Sequence, residues 1–316
     1  MPTIAADSVR EAAKRIRPLA LRTPVMTSPA LDGRAGFRVF LKCENLQRGG
    51  AFKIRGASNL ILSLSPDELK NGIVAFSSGN HAIAAATAAG HVGARATIVM
   101  PEDSPRAKME QVRSLGARII HYNRIRDDRE AIAAGILKET GGTLVPPYDH
   151  PLIMAGQGTV ALELLADAPA LDALVVCVGG GGLIAGSCII AKSVTPAIRI
   201  FGVEPELAND TALSVAAGRR ITIPPPESIA DGLRSPAPGV LTFPVIQRNV
   251  ERILLVSEDE IRATMRFLLD RVKILVEPSG AVSLAAVLFG KLPPGIGSAG
   301  VILSGGNVDL EFLKTL

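Results

Sequence analysis

The chain has 316 residues, of which 47% are hydrophobic and only 3% aromatic, and its formal net charge is +4. This length predicts two lobes or one large α/β unit, and a core of Ala, Val, Ile and Leu is typical of buried parallel strands covered by helices. The small net charge, with basic and acidic residues interleaved as in 124–129, argues against a nucleic-acid partner.

Cysteine usage and the N-terminal sequence predict a cytoplasmic protein. Cys43, Cys177 and Cys188 are odd in number and widely spaced, which favours reduced, packed thiols. The N-terminus lacks the pattern of an export signal, and residues 8–11 read as a capping box that opens a first helix. Residues 173–191 carry no charge, but the four glycines at their centre predict a strand, a turn and a buried helix instead of a membrane span.

Taken in chain order, apolar patterns alternate between strands and helices. The predicted strands lie at 37–42, 72–76, 96–100, 118–121, 173–178, 198–204, 252–256 and 301–303. Predicted helices lie between them. Five have both bounds, at 56–64, 82–89, 105–115, 129–140 and 257–270; three further helices begin at 65, 183 and 277, and one ends at 165. The βα units of 67–148 predict a small domain inserted into a large one formed by 1–66 and 149–316. Most polar loops follow strand carboxyl ends, where ligands bind in open α/β sheets.

The glycine quartet at 179–182 predicts a phosphate site. Residues without Cβ let backbone N–H groups converge on an anion, and the helix that begins near Leu183 adds its positive end. The spacing is not G-x-G-x-x-G, and no Gly-Lys-Ser/Thr follows, so neither a dinucleotide fingerprint nor a Walker loop is indicated. A tight turn with close helix packing is the alternative.

Two further segments carry candidate chemistry. Lys53 follows an aromatic residue, Phe52, which could supply a flat wall; burial and a neighbouring cation, Arg55, would favour its free amine, whereas an exposed lysine would be an ordinary surface residue. The turn 77–81 contains two serines, an asparagine and a histidine, which form a donor array suited to a carboxylate. Its alternative is a simple strand-to-helix cap.

Glu204 and Asp210 flank a loop that could hold a hard cation through carboxylate and backbone oxygens. A solvated loop explains two acids six residues apart equally well.

Five motifs in order resemble the serine/threonine dehydratase and serine racemase family, which are fold-type II pyridoxal-phosphate enzymes related to tryptophan synthase β. The motifs cover almost the whole chain and lie at 52–57, 77–81, 179–182, 277–281 and 304–307. The resemblance implies a two-lobed α/β fold in which each lobe is a mostly parallel sheet flanked by helices, with the active site in the cleft between the lobes. It also implies pyridoxal 5'-phosphate as cofactor.

The same resemblance implies roles for individual residues. Lys53 would form the Schiff base and take the Cα proton, and Ser78 would act as acid or base on the opposite face of the ring. The implied cofactor contacts are Phe52 against the ring, Asn80 at its phenolic oxygen, Gly179, Gly180, Gly181 and Gly182 at the phosphate, and Ser304 at the pyridine nitrogen. The implied substrate contacts are Ser77, Ser78, Asn80 and His81 at the carboxylate, with Arg129 and Ser235 in reach of a dicarboxylate.

In cation-activated members of the family, the positions that correspond to Glu204, the Ala208 carbonyl and Asp210 bind Mg²⁺ or Ca²⁺. Members of the family commonly form homodimers, so the resemblance implies a homodimer here. Because the sequence ends soon after Ser304, we expect no regulatory domain of the kind that biosynthetic threonine dehydratases have. The resemblance as a whole implies an ammonia-lyase that converts threonine or serine to a 2-oxo acid and ammonia. The alternatives are threo-3-hydroxyaspartate dehydration, serine racemisation and, without catalysis, an amino-acid sensor.

Overall fold

A computed structural model describes residues 4–104, 106–168 and 171–316. The strands are β1 (Val25–Met26), β2 (Arg38–Cys43), β3 (Ile73–Phe76), β4 (Ala96–Pro101), β5 (Arg118–Tyr122), β6 (Thr143–Leu144), β7 (Ala173–Cys177), β8 (Arg199–Pro205), β9 (Arg252–Val256) and β10 (Ser298–Leu303). They form two separate sheets, and each sheet is flanked by helices.

The helices lie between the strands in the βα order predicted from the sequence. They are α1 (Ala6–Arg15), α2 (Pro29–Ala35), α3 (Lys53–Ile61), α4 (Pro66–Asn71), α5 (Asn80–His91), α6 (Arg106–Ser114), α7 (Arg129–Thr140), α8 (Pro151–Asp167), α9 (Gly182–Val194), α10 (Asp210–Ala217), α11 (Thr242–Asn249), α12 (Glu258–Phe267), α13 (Pro278–Leu288) and α14 (Leu310–Leu313). A π-helical turn, Leu268–Val272, extends α12.

The larger sheet has the strand order β1-β2-β10-β7-β8-β9 and is parallel except for the short edge pair β1 and β2. The smaller sheet has the order β5-β4-β3-β6 and is parallel throughout. Because neighbouring strands run in the same direction, β3, β7 and β10 each deliver their following loop to the carboxyl edge of their sheet. That edge holds the predicted polar loops.

Each sheet packs against its own apolar core. Strand β7 is buried along its whole length, as expected for a parallel strand covered on both faces. Helix α5 presents mainly buried alanines to the smaller sheet, which lets the helix approach the strands closely. The scarcity of aromatic residues is thus met by small aliphatic side chains, as the composition predicted.

The two-sheet α/β architecture is confirmed, while several local predictions are corrected. Helix α1 begins at Ala6 with no side-chain cap, so the predicted capping box at 8–11 is wrong. Helix α3 begins at Lys53 and not at residue 56. Strand β6 was not predicted because its two residues are too few to show a period. Pro105, the predicted start of α6, lies outside the described residues.

The uncharged segment 173–191 forms β7, the glycine turn and the first turns of α9, as predicted. Within the described ranges, no helix combines the length and apolar character needed to cross a membrane. The strands of the smaller sheet all fall within 73–144. The exact domain limits at 66/67 and 148/149 stay predictions.

Candidate active site

One cavity brings most of the predicted site residues together. It lies at the carboxyl ends of β3, β7 and β10 and has about 1070 Å³ of empty space, a volume that includes open solvent at its edge. Its lining comes from both sheets and includes Phe52, Lys53, Ser77, Ser78, Asn80, His81, Arg129, Gly179, Gly180, Gly181, Gly182, Ser235 and Ser304. The three predicted cation residues lie outside this lining.

Lys53 is fixed in the cavity by the loop that follows β10. The Phe52 N–H donates to the Ser304 carbonyl at 3.1 Å, and Ala51 forms a β-bridge with Gly305. The Lys53 Nζ donates to the Pro147 carbonyl at 2.7 Å and lies 5.2 Å from the centre of the Phe52 ring. Burial lowers the pKa of Lys53 from 10.5 to about 8, so the amine is far easier to deprotonate than that of a surface lysine.

The predicted contribution of Arg55 to this shift is wrong. Its guanidinium is fully buried and points away from the cavity, making bidentate ion pairs with Glu44 and with Glu163. Lys42 adds a second buried cation, 2.7 Å from Glu163. Because these opposite charges compensate one another, desolvation of the Lys53 amine is the dominant cause of its lowered pKa.

The glycine turn at 179–182 leads directly into α9. Gly181 occupies the N-cap position with φ +91°, a left-handed conformation that L side chains rarely adopt. No side chain caps this helix, and its first residues, Gly182 and Leu183, line the cavity. The N–H groups of a first helical turn have no partner within the helix. The turn therefore offers the backbone donors and positive helix end that an anion needs.

In the loop after β3, the polar side chains differ in what they can donate. Ser77 Oγ accepts a hydrogen bond from the Gly79 N–H at 3.2 Å. His81 is buried, and its Nε2 lies 2.8 Å from the Val145 carbonyl, which can only accept, so Nε2 carries the proton. Burial lowers the pKa of His81 to about 3, with Lys53 as a further cause, and the ring is neutral. The neutral ring has no second N–H to donate. The predicted contact of His81 with a substrate carboxylate would therefore have to come from its backbone N–H.

Asn80 is held by hydrogen bonds to two other side chains. Its Nδ2 donates to Glu277 at 2.6 Å, and its Oδ1 accepts from Asn307 at 2.9 Å. Nδ2 has two hydrogens, so one remains for a ligand. Burial, reinforced by Asp231, raises the pKa of Glu277 to about 8. Ser304 Oγ donates to the Ser279 carbonyl at 3.3 Å.

Several lining residues were not predicted from the sequence. Tyr148 faces the glycine turn, Cys177 ends β7, and Lys108 forms an ion pair of 3.0 Å with Asp231, another lining residue. Tyr148 is one of two tyrosines in the chain and follows Pro147, so its rarity was the available signal. Cys43, Cys177 and Cys188 are free, buried thiols, as predicted.

The predicted cation residues form a separate buried cluster. Both Glu204 and Asp210 are fully buried, and the Glu204 carboxylate accepts from the backbone N–H groups of Thr211 and Ala212. Burial, followed by the charge of Asp210, raises the pKa of Glu204 to about 8; burial also raises the pKa of Asp210 to about 7. Oδ1 of Asp210 has no hydrogen-bond partner among the described residues. Within the same ranges, no group of three or more His, Cys, Asp or Glu could hold a metal.

Comparison with known proteins identifies the class that this fold and cavity define. The family described as pyridoxal-phosphate dependent enzyme matches residues 16–305, and the chain belongs to it. The predicted family resemblance is confirmed.

The individual relatives include lyases and a racemase. The chain is 46% identical to L-threo-3-hydroxyaspartate ammonia-lyase of Saccharomyces cerevisiae, over 98% of the chain and 94% of that relative. It is similar to maize serine racemase with a TM-score of 0.96 and 43% identity, covering 99% and 97% of the two chains. It is also similar to a threonine deaminase from T.th., with a TM-score of 0.91, 42% identity, and 97% and 99% coverage. The chain is an enzyme of the pyridoxal-phosphate-dependent lyase and racemase family. This finding replaces the hypothesis of a non-catalytic amino-acid sensor.

The residues of the cavity fit the cofactor that the family implies. Pyridoxal phosphate requires a reactive lysine amine, a phosphate site and polar partners for its ring. The cavity holds a lysine whose pKa is lowered to about 8, an uncapped helix N-terminus behind the glycine turn, and hydroxyl and amide groups from Ser304 and Asn80.

The lowered lysine pKa predicts the pH dependence of cofactor capture. Above pH 8 most Lys53 amines are uncharged, whereas below pH 8 most are protonated and unreactive. The rate at which cofactor-free protein captures pyridoxal phosphate should therefore rise between about pH 7 and pH 9 and then level off. Stopped-flow absorbance measures this rate; a rate that continues to climb to about pH 10.5 would contradict a buried amine.

Proposed function

We propose that the protein is an ammonia-lyase for β-hydroxy amino acids, with L-threo-3-hydroxyaspartate as its best substrate. The observation that carries this proposal is the composition of the cavity wall. Arg129 and Ser235 line the same cavity as Lys53, so a cation and a hydroxyl are available to the distal carboxylate of an acidic substrate. The identity to a hydroxyaspartate ammonia-lyase supports the same choice.

The residues proposed to hold the cofactor surround one space. Lys53 would bind it covalently, Phe52 would lie against its ring, and Gly179, Gly180, Gly181 and Gly182 would hold its phosphate through their backbone. Asn80, with its remaining N–H, would bond the phenolic oxygen, and Ser304 would face the pyridine nitrogen. When bound, pyridoxal phosphate supplies an electron sink that makes the α-proton of the amino acid acidic.

Lys53 is the proposed base for that proton. Its pKa of about 8 lies near neutral pH, where a general base works best, and its Nζ is already held in place by the Pro147 carbonyl. Ser77, Ser78 and the loop backbone would orient the α-carboxylate. Loss of the β-hydroxyl followed by hydrolysis converts hydroxyaspartate to oxaloacetate and ammonia.

Serine racemisation is the second candidate. Racemisation requires a proton donor on the face of the substrate opposite the lysine, and Ser78 lines the cavity together with Lys53. Ser78 is the proposed donor, and the similarity to maize serine racemase supports this activity. The first-choice substrates predicted from the sequence, threonine and serine, remain alternatives; a threonine deaminase is also among the similar structures. The homodimer and the cytoplasmic location likewise stay predictions.

A substrate panel tests the proposal, and Arg129 supplies the mechanistic variant. The purified enzyme, loaded with pyridoxal phosphate, is assayed for oxaloacetate from L-threo-3-hydroxyaspartate, for the 2-oxo acids from L-threonine and L-serine, and for D-serine from L-serine. Of these four reactions, the one with L-threo-3-hydroxyaspartate should have the highest kcat/KM. Arg129→Gln should lower kcat/KM for hydroxyaspartate about 10- to 100-fold, because a charged hydrogen bond to the distal carboxylate is lost, and should change serine turnover little.

Arg126→Gln is the matched control, because Arg126 is exposed and lies outside the cavity. Equal losses for both substrates in Arg129→Gln would show that this guanidinium does not select a dicarboxylate. A wild-type preference for threonine would overturn the proposed substrate.

We further propose that Glu204, the Ala208 carbonyl and Asp210 bind Mg²⁺ or Ca²⁺. Two buried carboxylates need a compensating charge. Among the described residues, Oδ1 of Asp210 has no hydrogen-bond partner, and a carboxylate oxygen is a hard ligand suited to either ion.

Cation binding predicts a measurable stabilisation. After chelation, adding Ca²⁺ or Mg²⁺ should raise the melting temperature of the wild type, because an ion that binds only the folded state stabilises it. Asp210→Ala should lose this response, whereas Glu206→Gln, an exposed change in the same loop, should keep it. If neither ion changes the melting temperature of the wild type, the proposed cation site is wrong.

A further inference from the structure

Tyr148 is a residue of the cavity to which neither the motifs nor the proposed cofactor contacts give a role. It lies on the crossover between β6 and α8, in a segment that is fixed on both sides. On one side the Pro147 carbonyl accepts from Lys53; on the other the Asp149 carboxylate accepts from the backbone N–H groups of Val240 and Leu241, each at 2.8 Å. Tyr148 therefore lies between two anchored residues, and one of them, Pro147, also holds the reactive amine.

The ring of Tyr148 packs against the glycine turn. A Cβ built on Gly180 would overlap the ring, and one on Gly182 would lie 3.0 Å from the Tyr148 Cβ. This close approach leaves no room for a side chain at position 180. Part of the glycine quartet is thus required by the contact with an aromatic ring, in addition to any anion.

The hydroxyl end of Tyr148 belongs to the polar wall of the cavity. Burial raises the pKa of the phenol above its ordinary value; the nearby Arg129 charge and a hydrogen bond with Ser235 lower it, while Asp149 and Glu130 raise it. The phenol is consequently protonated at neutral pH and can donate a hydrogen bond. The Arg129 guanidinium beside it stacks 5.1 Å from the centre of the Phe76 ring, which restricts its movement.

We propose that Tyr148 is a specificity-determining residue whose hydroxyl donates to the distal carboxylate of a dicarboxylic substrate, next to Arg129. This inference rests on the proposed function and deepens it by assigning the hydroxyl to recognition and the ring to support of the glycine turn. The two parts of one side chain then act separately. Removing the hydroxyl should affect selectivity alone, because the ring that packs on Gly180 is retained.

The variant Tyr148→Phe tests this division, with Tyr122→Phe as control. Tyr122 is the second tyrosine of the chain; it is buried at the end of β5, outside the cavity. For Tyr148→Phe, kcat/KM for L-threo-3-hydroxyaspartate should fall about tenfold while kcat/KM for L-serine stays within about twofold, as expected for one lost hydrogen bond to a charged group. The cofactor absorbance of the loaded protein should be unchanged.

Binding of succinate, a four-carbon dicarboxylate without amine or hydroxyl, provides a readout apart from turnover. Calorimetry on the loaded enzyme should give a Kd about tenfold weaker for Tyr148→Phe than for the wild type and for Tyr122→Phe. Equal succinate affinities, or equal losses for both substrates, would overturn the assignment. If the wild type acts on serine but not on hydroxyaspartate, the proposed substrate fails; the succinate comparison still decides whether Tyr148 contacts a dicarboxylate.

Discussion

Replacing Lys53 with alanine should abolish turnover and the absorbance of the protein-bound cofactor. The side chain is the proposed covalent attachment point and the proposed base, and loss of a general base alone costs about 10²- to 10⁴-fold in rate. The backbone around it is held independently by Ser304 and Gly305, so the fold should survive. Steady-state kinetics and visible absorbance of the purified variant measure both effects, and circular dichroism measures the fold.

Lys70→Ala serves as the control for this variant. Lys70 is exposed at the end of α4, where it pairs with Asp67, and its loss should leave kinetics and absorbance unchanged. If Lys53→Ala retained both the bound cofactor and more than a tenth of wild-type kcat, another amine would have to be the attachment point.

Replacing Arg55 with methionine should cause a large loss of stability. Arg55 makes four hydrogen bonds of 2.7 to 2.8 Å to the carboxylates of Glu44 and Glu163. The variant leaves the fully buried Glu44 without its cation, and breaking a buried pair in this way costs about 3–5 kcal/mol. Equilibrium urea denaturation should show this as a lower free energy of unfolding.

Two comparison variants isolate the cause. Arg55→Met combined with Glu44→Gln should recover part of the loss, because no unpaired charge then remains at position 44. Arg199→Ala, which removes an exposed bidentate pair with Glu251, should change the free energy of unfolding far less. A loss in Arg55→Met no larger than that in Arg199→Ala would show that the buried network does not hold this region together.

The loops that line the cavity could be located from the sequence because their motifs lie at the ends of strands. Ser77 follows β3, Gly179 follows β7, and Ser304 follows β10, so the strand pattern alone places their loops on the carboxyl edges of the sheets. Lys53 is brought to the same place by backbone hydrogen bonds to the Ser304 loop, a contact between segments distant in the chain that only the family resemblance could indicate.

Contacts that depend on side-chain direction could not be predicted. The sequence shows that Arg55 lies two positions from Lys53, yet two residues of α3 correspond to a rotation of about 200°, which sends the two side chains to different surroundings. Likewise, His81 donates into the protein because the Val145 carbonyl lies within reach, and Tyr148 meets Gly180 through a crossover without regular structure. These relations arise from tertiary packing, which local patterns do not encode.

Identification of the lysine that carries the cofactor tests the central claim most directly. The protein is incubated with pyridoxal phosphate, reduced with borohydride to make the attachment permanent, digested and analysed by mass spectrometry. A single pyridoxyl adduct on the peptide that contains Lys53 is the predicted result. An adduct on a different lysine, with Lys53 unmodified, would contradict it.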